Sequence, residues 1–238
     1  MEAKLRSILK RIHWSLVLRA AVFALAWLWL PFWVFFLLSF YLYLIPFFRP
    51  GKLAIPFSAL LLLTFIQPPG ALVALVFGAM FYAILLIKDL LLIDRRSAHE
   101  LITLALSFLL LRDFYMKFNE GIGGPALFYS FLTAVVLGLL MLSYMGSSHE
   151  DDAAIAWPME RTAIWLSFLF LWQILIAGLF LPLDFIYQSV VVFLVVVLLI
   201  DLVPEHIFGG LSKTKTLMAA SVIFALFVIV LGSARWGL

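Results

Sequence analysis

Cysteine is absent from the 238 residues, and charge is scarce: 16 Lys/Arg and 13 Asp/Glu, 12% of the chain. The first absence excludes disulfides, thiolate metal sites and cysteine nucleophiles. The second excludes a soluble globule. With 66% hydrophobic residues and a mean hydropathy of +1.18, too little polar surface exists to cover a core, so lipid is the solvent that the composition demands. Also missing are a phosphate-binding glycine loop, a dinucleotide fingerprint, a G-x-S-x-G elbow and an H-E-x-x-H pair. His99-Glu100 is followed by Leu101, Ile102 and Thr103. No basic patch is interleaved with aromatics, so the net charge of +3 is read as an orientation signal, and no nucleic-acid partner is expected.

What is present is a series of continuous apolar runs. Backbone groups in lipid must be satisfied within a helix or a closed barrel. Runs that do not alternate favour helices. The expected fold is therefore an all-α polytopic integral membrane protein, a bundle of about nine transmembrane helices. The spans fall at 13–30, 31–48, 53–67, 70–93, 98–116, 125–145, 161–181, 184–203 and 216–235. The count drops to eight if residues 14–48 do not form a full hairpin at Leu30-Pro31. The N-terminal stretch is read as retained helix, because its apolar run is longer than a signal peptide's and carries Arg19. Loops are short, the longest being 146–160, so the chain reads as one membrane domain over 1–238.

Charge placement sets the expected orientation. With the hairpin, Lys4, Arg6, Lys10, Arg11, Arg49, Lys52, Arg95, Arg96, Arg161, Lys213 and Lys215 share one face. Only Lys117 and Arg235 take the other, and Arg19, Lys88 and Arg112 fall inside spans. Positive residues mark the cytoplasmic side. The expectation is a bacterial inner (plasma) membrane protein, N-terminus cytoplasmic and C-terminus outside. Lys88 and Arg112 are expected to snorkel from helix ends, and Asp184, after Pro182, to cap a helix.

Three groups of residues suggest sites. Gly70, Ala74 and Gly78 at i, i+4, i+8 form a small-residue seam for close helix packing; Ala134 and Gly138 repeat the idea. His99, Thr103 and Ser107 share the same spacing, so one face of their helix is polar and expected to point into the bundle. Thr103, Ser107, Arg112 and Asp113 are the candidates for a substrate pathway, since ionisable residues inside spans default to functional hypotheses. Finally, Leu91-Leu92-Ile93-Asp94 precedes His99 at the same spacing as Leu198-Leu199-Ile200-Asp201 precedes His206. That pattern suggests a weak parallel repeat relating spans ending near 94 and 201. It also puts Glu100 beside His99 and Glu205 beside His206.

These pairs are the catalytic candidates: His99, Glu100, Glu205 and His206, acting as acid and base or on a metal. For a metal, the imidazoles of His99, His149 and His206 are the candidate ligands. No cofactor is expected; a divalent metal is the alternative. The expected partners are the lipid bilayer and a membrane protein partner or a second copy. No motif names a reaction. The first functional expectation is a non-enzymatic membrane subunit or scaffold. The alternatives are a small-solute or ion transporter, and an intramembrane enzyme with a His/Glu site at the cytoplasmic face.

Overall fold

Proline decides where the helices stop. In the computed structural model, which describes residues 14–45, 53–88, 95–118, 123–148, 157–207 and 212–234, the described residues form an all-α bundle of nine helices. These are α1 (Trp14–Trp29), α2 (Phe32–Leu44), α3 (Ala54–Ile66), α4 (Ala71–Lys88), α5 (Arg95–Phe118), α6 (Gly124–Ser148), α7 (Trp157–Leu179), α8 (Phe185–Ile207) and α9 (Lys213–Ser233). The stretch 14–48 is not one helix. Pro31, with φ −54° and ψ 143°, stands between α1 and α2. Ile45 before Pro46 is extended at φ −94° and ψ 126°, and Gln67 before Pro68 likewise at φ −81° and ψ 137°. A residue preceding proline is pushed out of the helical region, and proline has no N–H to continue the ladder.

Four helices, α4, the Gly124–Gly146 part of α6, α8 and α9, are long and apolar enough to cross a membrane. The chain is an integral membrane protein on that ground. α1, α2 and α3 have 16, 13 and 13 residues. At ~1.5 Å per residue they reach ~20–24 Å, short of the ~30 Å hydrocarbon layer. α8 runs past the expected end at 203, so Pro204 and His206 lie within it.

The contacts divide the chain into two compact units, Met1–Ile102 and Thr103–Leu238. α5 contributes its first turns to one and the rest to the other.

The first unit is built on aromatic rings. Phe23 of α1 is fully buried and stacks on Phe81 of α4, centroids 4.3 Å apart. Its other neighbour is Phe35 of α2 at 5.1 Å. Phe57 of α3 lies flat on Tyr43 of α2 at 4.2 Å. Burying such rings is the largest apolar gain available. α1 and α4 approach closely where Gly78 faces Ala20 and Ala24. Across the unit, the Trp27 indole N–H donates to the Thr64 carbonyl at 3.0 Å. That carbonyl would otherwise receive the N–H of residue 68, which is proline. Trp27→Phe should therefore strand a carbonyl and lower stability by about 1–3 kcal/mol, measured by denaturation in mixed detergent.

In the second unit α6 packs on α7, α7 on α8, and α8 on α9. The α6–α7 seam holds Phe131 against Phe168 and Trp172, each 5.6 Å away and nearly perpendicular. The Trp172 N–H donates to Ser130 Oγ at 3.1 Å. Asp184 directly precedes α8, and its carboxylate accepts the N–H of the next residue, Phe185, at 2.9 Å, one to two positions short of the N–H groups a capping side chain takes.

Candidate functional site

Several in-span hydroxyls satisfy themselves locally. Ser39 donates to Phe35 O, Thr64 to Leu61 O, Ser130 to Leu127 O, Ser167 to Ala163 O and Ser189 to Phe185 O, all at 2.5–2.8 Å. This back-bonding to the preceding turn is what Ser and Thr do in helices when nothing else is offered. Thr103 departs from the pattern. Its side chain is wholly buried, yet Oγ1 has no hydrogen-bond partner among the described residues.

Thr103 begins a buried stripe on α5. Thr103, Ser107, Leu111 and Tyr115 follow at four-residue steps, which places them on one face. All four are at most 1% exposed. The 111–115 end of the stripe meets α8 and α7. Tyr115 Oη donates to Leu175 O of α7 at 3.0 Å. It occupies the space over Gly178, where an added Cβ would lie 2.2 Å from the hydroxyl. Ser189 Oγ of α8 stands 3.5 Å from Leu111 O, and Phe193 is 5.4 Å from Phe108. α5 and α8 therefore run antiparallel here, with the first turn of α8 level with residues 111–115. In that turn Gln188 is also buried. Its Nε2 donates to Leu181 O at 2.9 Å, and its Oε1 has no partner among the described residues. In the second unit two buried uncharged polar atoms, Thr103 Oγ1 and Gln188 Oε1, are thus unsatisfied among the described residues, at different levels of α5.

The other candidates are placed differently. Asp113 is buried, 5% exposed, but lies two residues beyond Leu111 and so about 200° round the helix, off the stripe. Arg112 is half-buried. Lys88, expected to snorkel, is instead 2% exposed. Its ammonium donates to the Tyr43 carbonyl and sits 5.1 Å from the Tyr43 ring centroid. Desolvation of an ammonium is tolerable there because the carbonyl belongs to the C-terminal turn of α2, the negative end of its dipole.

Of the small-residue seam, Ala74 is buried and Gly78 meets α1, with Ala24 Cβ 3.1 Å and Ala20 O 3.4 Å from an added Cβ. Gly70 precedes α4 and has open space around it. An added Cβ at Gly138 would meet Phe168 of α7 at 3.8 Å.

His99 is buried in the second turn of α5, on the same face as Thr103 and in the first unit; Glu100 beside it is half-buried. Glu205 and His206 belong to the last turns of α8 in the second unit, where His206 is exposed and Glu205 pairs with Lys215 at 2.9 Å. His149 lies outside the described residues. Among the described residues no group of three or more His, Asp or Glu could hold a metal ion. Of the repeated pattern, residues 91–94 lie outside the described residues, while 198–206 lie wholly within α8. Its two histidines fall at opposite ends of their helices.

Tyr115 and Gln188 were not among the candidates. Extending the His99–Thr103–Ser107 spacing by two more steps reaches Tyr115. Gln188 carries no comparable signal, because its importance comes from which helix lies beside it. No family model matches this chain, no curated protein matches it in sequence, and no solved structure matches it.

Proposed function

We propose that this chain is a multi-pass inner membrane protein, N-terminus cytoplasmic, that moves a small polar solute or ion along the buried face of α5 in its second unit. The observation that carries the reading is the Thr103 hydroxyl, wholly buried and unpartnered among the described residues. An unsatisfied hydroxyl in an apolar interior is unfavourable by roughly 1–3 kcal/mol. A sequence under no other demand would place valine there. Polar groups inside membranes recur along substrate and ion routes. Ser107, one turn further along α5 and likewise buried, gives Thr103 company of suitable chemistry, able both to donate and to accept.

The test separates transport from packing. Thr103→Val keeps the shape and removes the hydroxyl, so it should leave stability unchanged or raise it by up to about 1 kcal/mol. Flux of the transported species into proteoliposomes should fall about tenfold or more, as expected when one good polar contact is lost. Unchanged flux in both Thr103→Val and Gln188→Leu would overturn the reading, as would absence of flux across a panel of ions, sugars and amino acids.

A second reading, a membrane subunit, is favoured by α9. This helix of 21 residues has no buried position, and Leu217, Met218, Phe224 and Ile229 are each more than 60% exposed. A helix apolar on all sides faces lipid or another chain. Mass measurement of the endogenous particle after gentle extraction distinguishes the two: other gene products in the particle support the subunit reading.

A further inference from the structure

We infer that α2 ends inside the apolar layer of the membrane and that Arg19 and Lys88 form a cationic clamp holding its end there. Three observations converge. First, α2 has only 13 residues, ~20 Å of helix against a hydrocarbon layer of ~30 Å. Second, Pro46 stops it before the apolar run is over: Phe47 and Phe48 still precede Arg49, the first charge. Third, two of the carbonyls left over at its end, those of Tyr43 and Ile45, are met by cations from two other helices.

The last carbonyls of a helix have no intrahelical donor. Here the Tyr41 carbonyl accepts the Ile45 N–H at 3.2 Å. The Tyr43 carbonyl takes the Lys88 ammonium of α4, and the Ile45 carbonyl takes the Arg19 guanidinium of α1. In water these carbonyls would need no such help. In hydrocarbon each unsatisfied one is unfavourable by several kcal/mol, and a cation at a helix C-terminus also answers the dipole. Charged side chains within a membrane pair with one another or with backbone carbonyls, and interrupted helices with cation-seeking C-terminal ends recur inside membrane proteins. The burial of Lys88, at 2% exposure, fits this. A lysine at a helix end extends towards water when water is what it serves, and this one is turned onto the end of α2.

The absence of cysteine makes the test clean. Ile45 is 40% exposed among the described residues, so its own unit does not cover it and lipid is the expected source of protection there. Single variants Ile45→Cys and Lys52→Cys are treated in inside-out membrane vesicles, which expose the cytoplasmic face, with a membrane-impermeant maleimide. Ile45→Cys should label at least about tenfold more slowly than Lys52→Cys, and catch up after denaturation in detergent. Equal rates in intact membranes would overturn the inference, and this comparison stands even if further variants fail to accumulate. Adding Arg19→Leu and Lys88→Met to Ile45→Cys should free the end of α2 and raise its labelling towards the Lys52→Cys rate. Unchanged protection in a folded double variant would refute the clamp.

Discussion

Replacing Gly178 by alanine should lower the stability of the second unit by about 2–4 kcal/mol, the largest effect expected of a methyl group added at any described glycine. The reason is steric and local. An added Cβ would stand 2.2 Å from Tyr115 Oη, 2.9 Å from its Cζ and 3.1 Å from Val192 Cγ2. Real Cβ contacts do not come that close, so the tyrosine must move. Tyr115 is among the largest fully buried side chains, and packed interiors offer no free volume to receive it. When it moves, its 3.0 Å bond to Leu175 O is lost and α5 shifts against α7. Overpacking contributes roughly 1–3 kcal/mol and the broken bond about 1 more. The check is unfolding by sodium dodecyl sulfate in mixed micelles, read for Gly178→Ala, Tyr115→Phe and the double variant. Tyr115→Phe alone should cost about 1 kcal/mol. In the double variant the closest clashing atom is gone, so the two losses should fall short of additive, as contacting residues do. Additive losses would mean that Tyr115 and Gly178 do not meet.

The clash also marks the boundary of what the amino-acid sequence discloses. Helix number was legible because its causes are local: apolar runs of fixed length, and Pro31 interrupting the stretch 14–48. Helix ends were less so: the expected span 31–48 runs through Pro46, where α2 stops at Leu44, and α8 continues past 203 to Ile207. The polar face of α5 was legible too, since Thr103 and Ser107 share a four-residue period, and a period needs no knowledge of neighbours. Tyr115 and Gly178 lie far apart in the chain, and nothing at either position announces the other. The same holds for Lys88. Its place at the end of an apolar run suggests a side chain reaching for water. Its actual partner, the Tyr43 carbonyl, is an orphan that arises only because α2 stops where it does. Asp113 illustrates the converse. It neighbours Arg112 in sequence and the polar stripe in depth, yet the 100° step per residue carries it off the face that Leu111 and Tyr115 occupy.

In the first unit the expected result of comparable size belongs to Gly78→Leu, which should destabilise by about 3 kcal/mol or more. Gly78 lies where α1 and α4 approach most closely, with Ala24 Cβ 3.1 Å and Ala20 O 3.4 Å from the position of an added Cβ. Small residues at such crossings replace the hydrophobic drive that lipid does not supply, by letting backbones come into van der Waals contact. An alanine asks the neighbours to yield only a few tenths of an ångström, so Gly78→Ala should remain within about 1 kcal/mol of the native protein. A leucine cannot be fitted without separating the helices. Separation pulls Phe81 from Phe23 and Phe77 from Trp27, ring pairs now 4.3 and 5.1 Å apart, and so propagates into the aromatic core. Gly70→Leu is the control, because nothing lies within 4 Å of its added Cβ, and it should change stability by no more than about 0.5 kcal/mol. If Gly78→Leu and Gly70→Leu unfold at the same detergent fraction, α1 does not pack on α4 through Gly78. If only Gly78→Leu is lost, the small-residue seam binds this chain to itself, and Gly78 is not available to a partner.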